Sequence, residues 1–89
     1  MKTLIVKVKA IEGHCDTHKV GDCFRLEGGK LSLPGQSKNV CIYALSSLLP
    51  LLPARQRNID ELDDWLPKVF EVACPDPKGR VIWEITYEE

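Results

Sequence analysis

The sequence has no strong net charge and no long apolar run. Its 89 residues include 12 basic and 13 acidic side chains, which gives a formal charge of −1. A chain so close to neutrality creates no long-range field that attracts phosphates, so we expect no nucleic-acid partner. The stretch from Leu45 to Leu52 is interrupted by Pro50, whereas crossing a bilayer takes roughly 20 apolar residues. We therefore expect a soluble protein with no membrane partner.

The start of the sequence does not have the pattern expected of a secretory signal peptide. Lys7 and Lys9 interrupt the apolar residues near the start of the chain, where a signal peptide has an unbroken apolar run. We therefore expect a cytoplasmic protein. The length lies below the usual domain size of about 100 to 150 residues, which predicts a single domain over residues 1–89. A core this small is marginally stable unless something staples it, and the four cysteines are the candidates.

Alternating side chains predict strands in the first third of the chain. Residues 3–11 alternate apolar side chains with lysines, the period of two that is typical of a strand with one buried face. A turn at residues 20–22 leads to a second short strand. Its side chains are predicted to alternate inward and outward, with Phe24 and Leu26 inward and Cys23 and Arg25 outward. A brief third strand is predicted over residues 31–33.

A helix is predicted to follow, capped by Asn39 or Ser37 and ended or kinked by Pro50. Cys41 then lies in its first turn. Its apolar positions are Val40, Tyr43, Ala44, Leu48 and Leu49.

The last third of the chain predicts a short helix and a hairpin. Residues 58–61 resemble a capping box, and the helix that follows has an apolar side formed by Leu62, Trp65 and Leu66. Residues 69–73 and 81–87 are predicted to pair across a turn-rich segment. The core face of the final strand consists of Val81, Trp83, Ile85 and Tyr87. Trp65 and Trp83 are both expected to anchor the core. This order of elements predicts an α+β fold, a mainly antiparallel sheet of four or five strands with the helices inserted before a C-terminal hairpin.

Cysteine and histidine are the residues that could carry chemistry. In a reducing compartment four cysteines predict metal ligands, reactive thiols or buried side chains rather than disulfides. The spacing of Cys15 and His18 allows one loop to supply two ligands, and Cys41 and Cys74 would complete a Cys3His zinc site. The competing interpretation is that these cysteines are small buried fillers of the core.

A second hypothesis is a thiol-dependent enzyme or redox protein. Cys41 at a helix start can become a reactive thiolate, and His14 or His18 could act as its base if the first loop folds over that helix start. A third hypothesis is a metal-free interaction domain in which the cysteines only pack. The partner is then an unidentified protein or small molecule, and the exposed edge strand of a small sheet leaves a homodimer open.

Three motifs extend this interpretation, namely Cys15-x-x-His18 with the following Lys-Val-Gly-Asp, the helix-start Cys41, and Cys74-Pro-Asp-Pro. Together they resemble a family of short uncharacterised prokaryotic proteins, described as a domain of unknown function, over nearly the whole chain. Thr17 stands where relatives tend to carry glycine, and Ile42 where they carry proline. The resemblance implies no activity, but it separates Cys15, Cys41 and Cys74, which match the family pattern, from Cys23, which does not.

Overall fold

The structure, a computed structural model, describes residues 1–35, 39–57 and 63–88. Within these ranges the chain forms five strands, two α-helices and one 3₁₀ helix. The strands are β1 (Leu4–Gly13), β2 (Cys23–Glu27), β3 (Lys30–Ser32), β4 (Glu71–Ala73) and β5 (Gly79–Tyr87). The helices are α1 (Ile42–Leu48), α2 (Leu52–Arg57) and the 3₁₀ helix Leu66–Lys68. The predicted α+β class is confirmed.

The described strands form one antiparallel sheet in the order β3-β2-β1-β5-β4. The central strand β1 pairs with β5 over nearly its whole length, from Leu4 opposite Tyr87 to Gly13 opposite Gly79. Their register shifts between Val8 and Ala10, a bulge that leaves an extra residue in β1. At this bulge the backbone of Val8 exchanges hydrogen bonds with Gly21 and Asp22, which attaches the turn before β2 to the centre of the sheet.

One face of the sheet carries the core. The apolar residues of β1 alternate as predicted, and so do those of β5, where Val81, Trp83 and Ile85 are each 1% exposed. Phe24 of β2 is fully buried and lies tilted against the Trp83 ring, with ring centroids 5.8 Å apart. The helices cover this face with three buried apolar side chains, Ala44, Leu48 and Leu52. The alternation therefore predicts the core of the sheet correctly, because side-chain direction reverses at every residue of a strand.

Several details of the helical region were predicted wrongly. Helix α1 begins after Cys41, which is its N-cap, rather than after Asn39. Tyr43 is 72% exposed although an apolar helix position was predicted there, and Leu49 lies beyond the helix and is 53% exposed. Trp65 was predicted to anchor the core but is 65% exposed. The reason is that these helices are short, and only one narrow side of each can reach the sheet.

Some predictions fall on residues outside the described ranges. These are the Ser37 cap, the capping box over residues 58–61 and the apolar contact of Leu62. Among the residues that are described, no helix has both the length and the apolar character needed to cross a membrane.

Candidate functional site

The segments that carry Cys15 and Cys74 are brought together by a close backbone contact between the ends of β1 and β5. Gly13 lies opposite Gly79 in the register of these strands. A Cβ atom on Gly13 would lie 2.1 Å from the carbonyl oxygen of Lys78, and one on Gly79 would lie 1.8 Å from that of His14. Gly13 also has a φ of +91°, which favours glycine. Glycine at both positions is what allows the first loop and the last hairpin turn to meet.

His18 in this first loop is a buried and fixed side chain. Its Nε2 atom accepts a hydrogen bond from the backbone N–H of Cys41 at 3.0 Å, so its proton is assigned to Nδ1. The Nδ1 atom lies 3.2 Å from a carboxylate oxygen of Asp22, to which it donates. The ring also meets the Trp83 ring edge to face, with centroids 4.9 Å apart. His18 therefore joins the first loop, the turn before β2 and the start of α1.

Cys41 lies at the junction between an extended segment and α1. Its φ and ψ of −65° and 126° are those of extended backbone, so Cys41 itself is not part of the helix that follows. Its carbonyl oxygen accepts the first helical bond, from the N–H of Leu45 at 2.9 Å. Its own N–H is directed to His18, which fixes the backbone of Cys41 beside the first loop. The thiol is half-buried.

Cys74 is buried where β4 leaves the sheet. Its backbone N–H donates to the carbonyl oxygen of Val81 at 2.9 Å, and its Sγ atom accepts from the N–H of Val81 at 3.1 Å. Sγ also lies 3.6 Å from the carbonyl oxygen of Gly79, to which a thiol proton can be donated. In the same turn, an Asp76 carboxylate oxygen accepts from the N–H of Lys78 at 2.9 Å. The hairpin therefore holds the sulfur of Cys74 in place with backbone groups.

These segments enclose one pocket of about 420 Å³. Its walls include every residue of the predicted zinc site, Cys15, His18, Cys41 and Cys74. The polar residues around it are His14, Asp16, Thr17, Tyr43 and Asp76. The fold thus brings to one cavity three thiols that are far apart in the sequence.

The thiols line the pocket without already forming a metal-binding group. Within the described parts of the chain, no three His, Cys, Asp or Glu side chains are grouped so that they could hold an ion as they stand. The four cysteines all lie in the described ranges and form no disulfide. Binding of an ion would therefore require these side chains to rearrange.

The remaining candidates lie differently. Cys23 lies on β2, opposite Lys7 of β1, and does not line the pocket. His14 lies at the pocket but is mostly exposed, and its Nε2 is 2.6 Å from an Asp16 carboxylate oxygen. The lone pair on Nε2 of His18 faces the amide of Cys41. Catalysis by Cys41 with either histidine as its base stays a prediction.

The charged groups whose pKa values shift most clearly lie away from the pocket. A hydrogen bond from Arg25 lowers the pKa of Glu88, and the same contact raises the pKa of Arg25. The Glu71 carboxylate raises the pKa of Lys9 in the same way. These two ion pairs lie at the surface and none of their four residues lines the pocket, so they do not affect its chemistry.

Sequence reasoning did not identify two parts of this site. One is Asp22, which orients His18 and also accepts the N–H of Lys19 at 3.2 Å. The spacing of four residues between His18 and Asp22 was a signal for such a pair. The other is the pairing of Gly13 with Gly79, which no local pattern indicates because the two residues are far apart in sequence.

No family model, curated protein or solved structure matches this chain. The resemblance to the family of short prokaryotic proteins therefore stays a prediction.

Proposed function

We propose that this chain is a small binding module that holds a soft metal ion, zinc in the first instance, through the thiolates of Cys15, Cys41 and Cys74. The observation that carries the proposal is the presence of all three thiols in the walls of one pocket. Thiolate sulfur is a preferred ligand of zinc and other soft ions, and zinc sites combine it readily with imidazole. Three separate segments would each supply one sulfur.

The surroundings of the thiols support this proposal. Metal-bound thiolates are commonly oriented by donors in their surroundings, and the N–H of Val81 already donates to Cys74. Cys15 and Cys41 are half-buried, so the surrounding protein does not fully enclose their side chains. An ion there would join the first loop, the start of α1 and the last hairpin.

His18 has a particular position in this proposal. The sequence predicts it as the fourth ligand, and its Nδ1 contact with Asp22 is the kind that orients metal-binding imidazoles. Its Nε2, however, already accepts the Cys41 N–H. Coordination by His18 would leave that amide without its acceptor, so three thiolates form the minimum ligand set and His18 positions Cys41.

The test is a zinc titration of the reduced protein in competition with a chromophoric chelator. We expect one equivalent of zinc to bind, and Cys15→Ser, Cys41→Ser and Cys74→Ser to weaken binding at least about 10-fold each, since each removes a metal ligand. Cys23→Ser is the matched control and should bind zinc as the unsubstituted chain does. If no zinc binds, or if the Cys23 variant is affected as strongly as the other three, the proposal is wrong.

A further inference from the structure

The pocket is much larger than a metal ion requires. Its volume of about 420 Å³ falls in the range of roughly 300 to 1,000 Å³ that is typical of cavities for small organic ligands. Closed structural zinc sites are filled by four protein ligands, whereas sites with three protein ligands keep one position for an outside molecule. An ion held by three thiolates here would have unfilled space beside it.

The imidazole of His18 is not free to fill that position. His18 lies with its side chain 1% exposed, between the Asp22 carboxylate and the Cys41 amide. Moving Nε2 to a metal would break the bond to Cys41 and disturb the edge-to-face contact with Trp83. A partly buried N–H that loses its acceptor destabilises the protein. This cost favours a ligand from outside the chain.

The charges around the pocket select the kind of ligand. Three thiolates exceed the charge of a divalent ion by one negative charge, and Asp16 and Asp76 contribute two further carboxylates at the walls. The His14 ring beside Asp16 is mostly in solvent, so its contact is screened. These negative charges would repel an anionic ligand, whereas they would not repel a neutral donor.

We propose that the metal ion in this pocket keeps one coordination position for a neutral nitrogen donor from outside the chain, an imidazole or a similar group. This inference rests on the proposed function, because it requires the thiolate-bound ion. It extends that function from holding a metal to recognising a second molecule through the metal. The bound imidazole would occupy pocket space that the ion leaves unfilled.

The test uses Co²⁺ in place of zinc, because thiolate-to-cobalt charge transfer and the visible d–d bands report the ligands separately. The reduced protein is loaded with one equivalent of Co²⁺ and titrated with imidazole, and in parallel with azide. We expect imidazole to shift the d–d bands in a saturable way and azide to leave them unchanged. The thiolate charge-transfer band should remain in both titrations.

His18→Gln is the informative variant, since glutamine lacks the imidazole but keeps a donor and an acceptor. If the fourth position is open, the unsubstituted chain itself responds to imidazole, whatever effect the substitution has on the affinity for the metal. If imidazole changes the spectrum only in the variant, His18 is the fourth ligand and this inference is overturned, while the proposed function survives. A response to azide as strong as that to imidazole also overturns it. Absence of any thiolate-to-cobalt band overturns the proposed function itself.

Discussion

The Nε2 atom of His18 accepts a hydrogen bond from the backbone N–H of Cys41, 3.0 Å away, and this bond joins the first loop to the start of α1. The two residues are separated by 23 positions in the sequence. Their contact is partly buried, and the His18 ring also contacts Asp22 on one side and Trp83 on another. One imidazole therefore connects the pocket to the core of the sheet.

Removal of this imidazole should destabilise the chain. His18→Ala leaves a cavity against Trp83 and removes the acceptor of the Cys41 N–H. We expect the free energy of unfolding to fall by about 2 to 4 kcal/mol, from the combined loss of buried volume and hydrogen bonds. Urea unfolding followed by far-ultraviolet circular dichroism measures the change. His14→Ala is the control, because that side chain is mostly exposed, and it should change stability by less than about 0.5 kcal/mol. Equal effects of the two substitutions would contradict the structural role of His18.

The contact between β1 and β5 predicts a strong effect of a single methyl group. Gly79→Ala places a Cβ 1.8 Å from the carbonyl oxygen of His14, and this backbone has no flexible side chain that could move away. We expect a loss of more than about 3 kcal/mol or a failure to fold, since overpacking against backbone forces the strands apart.

Gly29→Ala is the matched control for this substitution. No described atom lies within 4 Å of the corresponding Cβ, and the backbone there is not left-handed. Its free energy of unfolding, measured with urea, should stay within about 0.5 kcal/mol of the value for the unsubstituted chain. A stable, normally folded Gly79→Ala protein would show that β1 and β5 do not meet as described.

The two tryptophans should be distinguishable by fluorescence. Trp83 is 1% exposed and Trp65 is 65% exposed. Trp65→Phe therefore leaves a single buried indole, whose emission should move to shorter wavelength and resist quenching by acrylamide. The change in stability should be small because Trp65 lies on the surface. Emission of the variant at the wavelength of free tryptophan, with full quenching, would contradict the burial of Trp83.

The contact between Arg25 and Glu88 predicts a titration shift. A hydrogen bond from Arg25 holds the pKa of Glu88 below its ordinary value of 4.5. A lowered folded-state pKa contributes stability above the ordinary pKa, and this contribution is lost as the pH falls through the folded-state pKa. Carbon-detected NMR titration should show the low pKa in the unsubstituted chain and its return toward 4.5 in Arg25→Gln. An unchanged Glu88 titration in that variant would exclude the pair.

The sheet was more predictable from the sequence than the helices. Strand alternation in β1 and β5 depends only on the period of two, so the buried sides of Val6 and Trp83 follow from the local pattern. Helix α1 is only seven residues long, and neither its start at Ile42 nor the exposure of Tyr43 could be read from a 3.6-residue period over so few turns. The predicted apolar positions Ala44 and Leu48 are buried as expected.

The candidate site was predictable in its members but not in its arrangement. Residue type and spacing selected Cys15, Cys41 and Cys74, yet nothing local determines that three distant segments line one cavity. That depends on the antiparallel register of β1 and β5 and on the approach of Gly13 to Gly79. The packing of the whole core determines the register of distant strands, and no single sequence motif carries that information.

Zinc K-edge X-ray absorption of the reduced protein, loaded with one equivalent of zinc, tests most directly whether three thiolates bind one ion. We expect three sulfur neighbours near 2.3 Å and one lighter neighbour near 2.0 to 2.1 Å. The sulfur count should fall to two in Cys74→Ser and stay at three in Cys23→Ser. A shell of nitrogen and oxygen alone would show that Cys15, Cys41 and Cys74 do not bind one ion, which contradicts the proposed function.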